Sequence, residues 1–411
     1  MERTFFDIHM HAMDLSHPNF LVFLKRIHGI AGKLLLGGIA EPLLGEKEKR
    51  LVNLLTVMEN NIEDYFILME YFLNNKKPLV VDSGVLKTGG KEFDTIIMTP
   101  LIMDFGFKDI KTNTFYDMAL GKPVVCQTVD ILNAIRNYCE YEFAEKTGDD
   151  KKQEGITVPR TTRPTFEIYP FLGINPTIYD HDDLKKLLDR CFSGYSGTRI
   201  DLHANMGTFG GDISKVGSNV FAGIKLYPPL GFDPWPQGDA KQMEKVNNLY
   251  SLCQEKQIPI TVHCSDGGFA TVDNAQDLTN PVKWEQVLNV YPQLKLNLAH
   301  FGNQGDFLGI IHRHEWRKKV IDLVLSYDHV CTDISCLAFD DDFYEDFADI
   351  LHDNPGLIDK VLFGSDYMIN LQWIGSYNEY LQAFQDTDKL TDEEKFKICS
   401  ANPERFLFRT K

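Results

Sequence analysis

Apolar and polar positions along this chain fall into two regimes. Near the start, FFDIHMH, residues 5–11, is a short apolar run closing on polar side chains, the pattern of a buried strand. Helical spacing follows in LSHPNFLVFLKRIHGI and again roughly from Lys47 to Asn75. The next strand-like run is FDTIIMTP, residues 93–100, bounded by Gly89-Gly90 and Pro100. A helix is predicted from about Cys126 to Lys146, and the polar run TGDDKKQEGITVPRTTRP after it reads as a loop.

From Thr165 the rhythm becomes regular. FEIYPFLGI (166–174), FAGIKLYPP (221–229), PITVHC (259–264), LKLNLAH (294–300), HVCTDIS (329–335) and KVLFGSD (360–366) read as strands. Amphipathic stretches such as HDDLKKLLDRCF (181–192) and AKQMEKVNNLYSLCQEKQ (240–257) lie between them as helices. Strand ends near 225, 263, 300, 334 and 366 recur every 32–38 residues, the spacing of successive strand-helix units. Strands apolar on both faces suit a parallel sheet covered by helices. Strands near 8, 97, 170, 225, 262, 298, 332 and 363 make eight, which predicts an α/β chain folded as a (β/α)8 barrel. One domain is expected over residues 1–411, with helical insertions after strands 1 and 2 at about 12–92 and 101–164. A doubly wound open sheet fits less well, because no Gly-rich phosphate loop follows the first strand.

Composition narrows the function. A chain of 411 residues with 43% hydrophobic and 25% charged content can bury a large core, and its net charge of -17 argues against nucleic acid. No apolar run approaches the roughly 20 residues of a membrane span, and the first strand starts almost at Met1, so a cytoplasmic protein is expected. The eight cysteines are scattered without a CxxC pair, as reduced thiols would be.

In a barrel the strand ends converge on one mouth, and here they carry His9 and His11, Lys225, His263, His300 and Asp366. Histidines at i and i+2 on a strand face one side and can grip one ion together. Asp7 shares that face. Taken alone, an HxH triplet is as compatible with two ordinary hydrogen-bonded histidines, so its weight comes from the partners further along the chain.

The pieces DIHMH, GIKLYP, ITVHC, NLAHFG and FGSD, with the ending NPERFLF, resemble in content and order the amidohydrolase superfamily. The likeness is to its amidohydrolase-2 branch, which includes aminocarboxymuconate-semialdehyde decarboxylase. That resemblance implies a divalent ion, Zn2+ first with Mn2+ or Fe2+ as alternatives, held by His9, His11 and Asp366 with His263 as a further ligand. It also implies that Asp366 takes the proton of an attacking water and returns it to the leaving group. His300 would bind a second ion in two-ion members, or polarise the substrate carbonyl in one-ion members. Lys225 would be a carbamate bridging two ions, or an unmodified lysine beside one. The implied activity is metal-dependent hydrolysis of an amide, lactone or similar C–N or C–O bond of a small molecule. Decarboxylation of a small carboxylic acid at the same site is the alternative, and a binding barrel without turnover the third reading.

Around this set, Asp7 is expected to hold an imidazole in its tautomer. Tyr227, Phe269, Phe301 and Trp235, just past strand ends, are pocket walls or packing residues. Arg199, His203, Lys215, His312 and His314 are not placed by the pattern, and His17 and His28 read as packing histidines. The expected partner is a small-molecule substrate, with neither nucleic acid nor membrane, and self-association stays open.

Overall fold

The computed structural model describes residues 3–17, 46–106, 122–145, 155–206, 212–305 and 314–409. His28, His312 and most of the helical stretch after His17 lie outside these residues. The first strand, β1 (Thr4–Met10), is buried along its whole length. It pairs in parallel with β2 (Thr95–Pro100), which pairs in parallel with the first half of β3 (Phe166–Ile168). The second half of β3, Phe171–Gly173, opens a parallel run through β4 (Gly223–Leu226), β5 (Ile260–Val262), β6 (Leu296–Leu298), β7 (Val330–Asp333) and β8 (Val361–Leu362).

Two contacts close the ring. Leu101 bridges Phe171, and Met10 bridges Tyr367, while Ile8 N–H donates to Phe363 O at 3.1 Å. The eight-stranded barrel is therefore present, with helices in the connections. The third strand is broken where the sequence read it as continuous. Tyr169 N–H still bonds Met98 O on β2, but Pro170 has no N–H and serves only as an acceptor, from Ala222 N–H at 2.9 Å. The strand changes neighbours at that proline.

Phe5 shows why these strands are apolar on both sides. Its ring meets Phe93, Phe363 and Phe384 edge-on at 4.9–6.3 Å, while four residues later the same strand carries His9 to the mouth. Space between β1 and the loop after β8 is supplied by Gly364. A Cβ built there would fall 2.6 Å from the His9 Cβ. Gly364→Ala is expected to cost about 1–3 kcal/mol in denaturant unfolding, by overpacking against His9. An unchanged midpoint would show that the junction is looser than this.

The first insertion is only partly helical. Glu46–Glu59 and Tyr65–Asn75 are separate helices, because Asn61 accepts from Glu63 N–H and starts a new 3-10 turn between them. An antiparallel ribbon follows: Val81–Asp82, Val85–Thr88 and Lys91–Phe93. In the second insertion the helix Val124–Glu140 ends before Lys146, and Tyr141–Glu145 pairs with Gly155–Pro159 as a hairpin. The polar run, 147–164, was thus read as loop where its middle, Gly155–Pro159, is strand. The alternation of Ile156 and Val158 with Gly155, Thr157 and Pro159 is that strand's only local signal.

Candidate metal centre and cavity

His9 and His11 leave β1 on the same side, as their spacing requires. Asp366, just past β8, brings its Oδ1 to 3.2 Å from His11 Nε2 and 3.6 Å from His9 Nε2. These three donor atoms lie within 4.8 Å of one another, and all three residues are buried. Lys225 from β4 is also buried, with Nζ 3.5 Å from His9 Nε2. His263 from β5 and His300 after β6 face each other, Nδ1 to Nε2, at 3.0 Å. All six strand-end residues named from the sequence therefore meet at one mouth.

Their outer nitrogens fix their tautomers. His11 Nδ1 meets Leu101 O at 3.0 Å, His300 Nδ1 meets Ser335 O at 3.1 Å, and His263 Nε2 meets Gly267 O at 3.1 Å. A carbonyl only accepts, so each of those nitrogens carries the proton. His9 Nδ1 lies 2.9 Å from Asp333 Oδ2, a carboxylate that likewise accepts. In the neutral rings the inward atoms, Nε2 of His9, His11 and His300 and Nδ1 of His263, are bare lone pairs. Two such lone pairs at 3.0 Å, as on His263 and His300, need a proton or a cation between them. That donor set fits a divalent ion.

Electrostatics agree. Burial and the neighbouring Lys225 charge lower the His9 pKa to about 3, and burial with the His300 and Lys225 charges takes His263 well below the ordinary imidazole value. Both rings are neutral, as ligation needs. Burial alone would raise Asp366, but the contacts with the surrounding imidazoles, His11 first, outweigh it and hold it below the usual carboxylate range. Burial lowers Lys225 to about 8 against the pull of Asp366 and Asp333.

Three strand-end loops carry left-handed residues that are not glycine: His300 (φ 62°), Cys336 (φ 59°) and Asp366 (φ 58°). Such conformations cost on the order of 1–3 kcal/mol and persist where surrounding bonds enforce them. Here Asp366 N–H donates to His9 O at 2.7 Å, and His300 N–H to Asp333 Oδ1 at 3.0 Å.

Asp333, on β7, was missed by sequence reading. The strand-end list skipped β7, although Asp333 stands where the other strands place their chemistry. Asp7 departs from its expected role for a geometric reason. Its oxygens accept from the backbone N–H groups of His9 and Ser365 and from Tyr377 O–H, so it fastens β1 to β8 while Asp333 holds the imidazole.

Above these residues opens a cavity of about 540 Å³. Tyr227 and Phe269 line it, with Phe105, Phe339, Trp373 and Cys336, whereas Phe301 packs on Phe347 in the core and Trp235 is not among the lining residues. Tyr227 O–H accepts from Phe269 N–H at 2.8 Å and so shapes the β5 loop. Arg199 forks onto Glu167 and reaches Thr4 at the start of β1, away from the mouth. The ring of His203 lies tilted toward Tyr169 at 6.3 Å, Lys215 pairs with Asp212, and His314 starts the helix Glu315–Ser326. A separate cluster of Asp14, His17 and Asp130 already holds a cation, Lys122 Nζ, at 2.6 Å from Asp130. His17 is thus a packing histidine with a carboxylate partner. All eight cysteines are free, and no helix among the described residues is long and apolar enough to cross a membrane.

The amidohydrolase family model matches residues 212–409. No curated protein sequence matches the chain at a significant level. Among solved structures, an uncharacterised TIM-barrel protein of Bordetella bronchiseptica aligns at 12% identity over 99% of this chain and 98% of its own, with a TM-score of 0.47. The 5-carboxyvanillate decarboxylase of Novosphingobium aromaticivorans, solved with manganese, aligns at 12% over 99% and 96%, TM-score 0.44. A probable 2-pyrone-4,6-dicarboxylic acid hydrolase of Acinetobacter baumannii aligns at 12% over 98% and 98%, TM-score 0.45. Residues 212–409, which carry Lys225, His263, His300 and Asp366 to the barrel mouth, are thus similar to the amidohydrolase family.

Proposed function

We propose that this protein is a metal-dependent hydrolase of a small molecule, cleaving an amide, lactone or similar C–N or C–O bond. The observation that carries the reading is the convergence of bare imidazole nitrogens from His9 and His11 on an ionised Asp366 at the floor of a cavity. In this reading His9, His11 and Asp366 hold one divalent ion, with the His263–His300 pair completing its surroundings. When bound, the ion lowers the pKa of a water and polarises a substrate carbonyl. Zn2+ suits the nitrogen-rich set, and Mn2+ or Fe2+ are the alternatives.

The chain's own groups supply the rest. Asp366, ionised and unneeded as a backbone cap, accepts the proton of the attacking water and passes it to the leaving group. His300 turns Nε2 inward as a lone pair, and would polarise a substrate carbonyl only after that nitrogen takes up a proton. Lys225 stays out of the donor set as a free amine, its charge available to a substrate oxygen anion. A second donor group, His9 with His300 and Asp333, does not make an independent second site. It shares His9, and the oxygens of Asp333 are occupied by hydrogen bonds.

A second reading is decarboxylation of a small carboxylic acid. It is favoured by walls rich in Phe105, Phe269, Phe339 and Trp373 around Lys225, the one Lys or Arg among the described lining residues. A ring carboxylate would suit that arrangement.

The test is elemental analysis of the full-length chain after incubation with zinc, manganese and iron, followed by a screen of lactones, amides and aromatic acids in 18O-water. One ion per chain with 18O in the product supports hydrolysis; carbon dioxide release without it supports the second reading. A folded chain that takes up no ion overturns both. Lys225→Ala is expected to keep one ion, and a fall from two ions to one in that variant would restore the bridging carbamate.

A further inference from the structure

The Asp333 side chain accepts five hydrogen bonds, and they tie one part of the mouth to another. Oδ2 accepts from His9 Nδ1–H at 2.9 Å and from Asn297 Nδ2 at 2.6 Å. Oδ1 accepts from His300 N–H at 3.0 Å, from Ser335 N–H at 3.1 Å and, closer still, from Ser335 Oγ–H. Ser335 spends its hydroxyl proton on Asp333, so toward the imidazoles it can only accept. Its Oγ lies 2.9 Å from His300 Nδ1 and 3.1 Å from His9 Nδ1. Asp333, Asn297 and Ser335 are buried to 0% exposure, so no water competes for these bonds.

We infer that Asp333 and Ser335 form one positioning unit, which sets the Nδ1–H tautomer of His9 and His300 together and holds the left-handed backbone at His300. Neither residue is catalytic, since neither lines the cavity. The unit works by geometry. A carboxylate with five donors around its two oxygens cannot rotate, so His9 is pinned with Nε2 inward, and the same carboxylate pins the His300 backbone through a separate bond. Ser335 then offers His300 Nδ1–H two acceptors, its carbonyl and its hydroxyl oxygen. The ring of His300 is held whether or not substrate is present. Asn297 completes the unit through one hydrogen of its amide; its Oδ1 finds no partner among the described residues.

The inference rests on the proposed reading only where it concerns ion affinity. Two measurements therefore separate them. Histidine-15N spectra of the metal-free, full-length chain, assigned with His9→Gln and His300→Gln, report tautomers directly. His9 and His300 are expected as Nδ1–H rings in the wild type, with His9 shifting to a mixture in Asp333→Asn. Zinc affinity, read by competition with a chromophoric chelator, is expected to weaken about 10–100-fold in Asp333→Asn, as when a ligand loses its orienting partner. It should stay within about threefold in Ser335→Ala, because His300 keeps the Ser335 carbonyl. The wild-type spectra decide the matter even if Asp333→Asn does not fold. An Nε2–H tautomer at His9 or His300 overturns the inference, and so does Asp333→Asn with unchanged tautomers and zinc affinity. A wild type that binds no zinc yet shows both Nδ1–H rings overturns the proposed function and leaves the positioning unit standing.

Discussion

Asp366→Asn is expected to lower turnover by a factor of about 100–10,000 while the protein stays folded, the range by which positioned acid–base groups act. The substitution isolates the chemistry for two reasons. Asparagine has the size of aspartate and tolerates a left-handed backbone, so the φ of 58° at this position remains accessible. The backbone bonds that hold the loop, Asp366 N–H to His9 O and Asn370 N–H to Asp366 O, do not involve the side chain. What changes is basicity, since an amide oxygen cannot carry the proton of an attacking water. The side chain does not cap a helix: the 3-10 turn at Ile369–Gln372 has Met368 at its start and receives no side-chain cap. The check is kcat on the substrate found by the screen, with a thermal melt in parallel. Turnover within threefold of wild type would remove Asp366 from the proton path.

The candidate site was legible because the barrel separates two kinds of information along each strand. Positions within a strand are apolar on both faces and give the fold, and the residue at its end gives the chemistry. His263 closing ITV and Asp366 closing LFGS stand out against such a background. The helix His181–Phe192 was readable to the residue because Leu184, Leu188, Cys191 and Phe192 share its buried face. Three features escaped for reasons of distance. Asp333 acts on His9 across 324 positions, and in HVCTDIS it looks like any polar residue near a strand end. Asp7 was assigned to an imidazole because it shares a face with His9, yet its partners Ser365 and Tyr377 lie on the far end of the chain. The break in β3 depends on which neighbour accepts each N–H, and Pro170 shows only that something must change there. Local pattern reports what a residue can do; the partner that decides is set by closure of the barrel.

The His9→Ala/His11→Ala double variant is expected to retain less than about one tenth of the wild-type ion, with the clearest readout in stability rather than in activity. An ion bound only by the folded state stabilises it by about 2.7 kcal/mol when present at a hundred times its dissociation constant. Wild type should therefore melt higher with added zinc, and the double variant should not respond. Removing His9 has a cost of its own. It opens space in a fully buried position and leaves Asp333 without its Nδ1–H donor, a loss of on the order of 1–3 kcal/mol before any ion is considered. His11 is the cleaner probe: its outer nitrogen meets only the Leu101 carbonyl, so His11→Gln should keep the zinc-free melting point near wild type while weakening the response to zinc. The comparison is thus between melts with and without zinc for each variant, never between variants in zinc alone. If wild type and double variant gained equally from zinc, the ion would be bound elsewhere, and the convergence of His9, His11 and Asp366 would have to be explained as a hydrogen-bonded core.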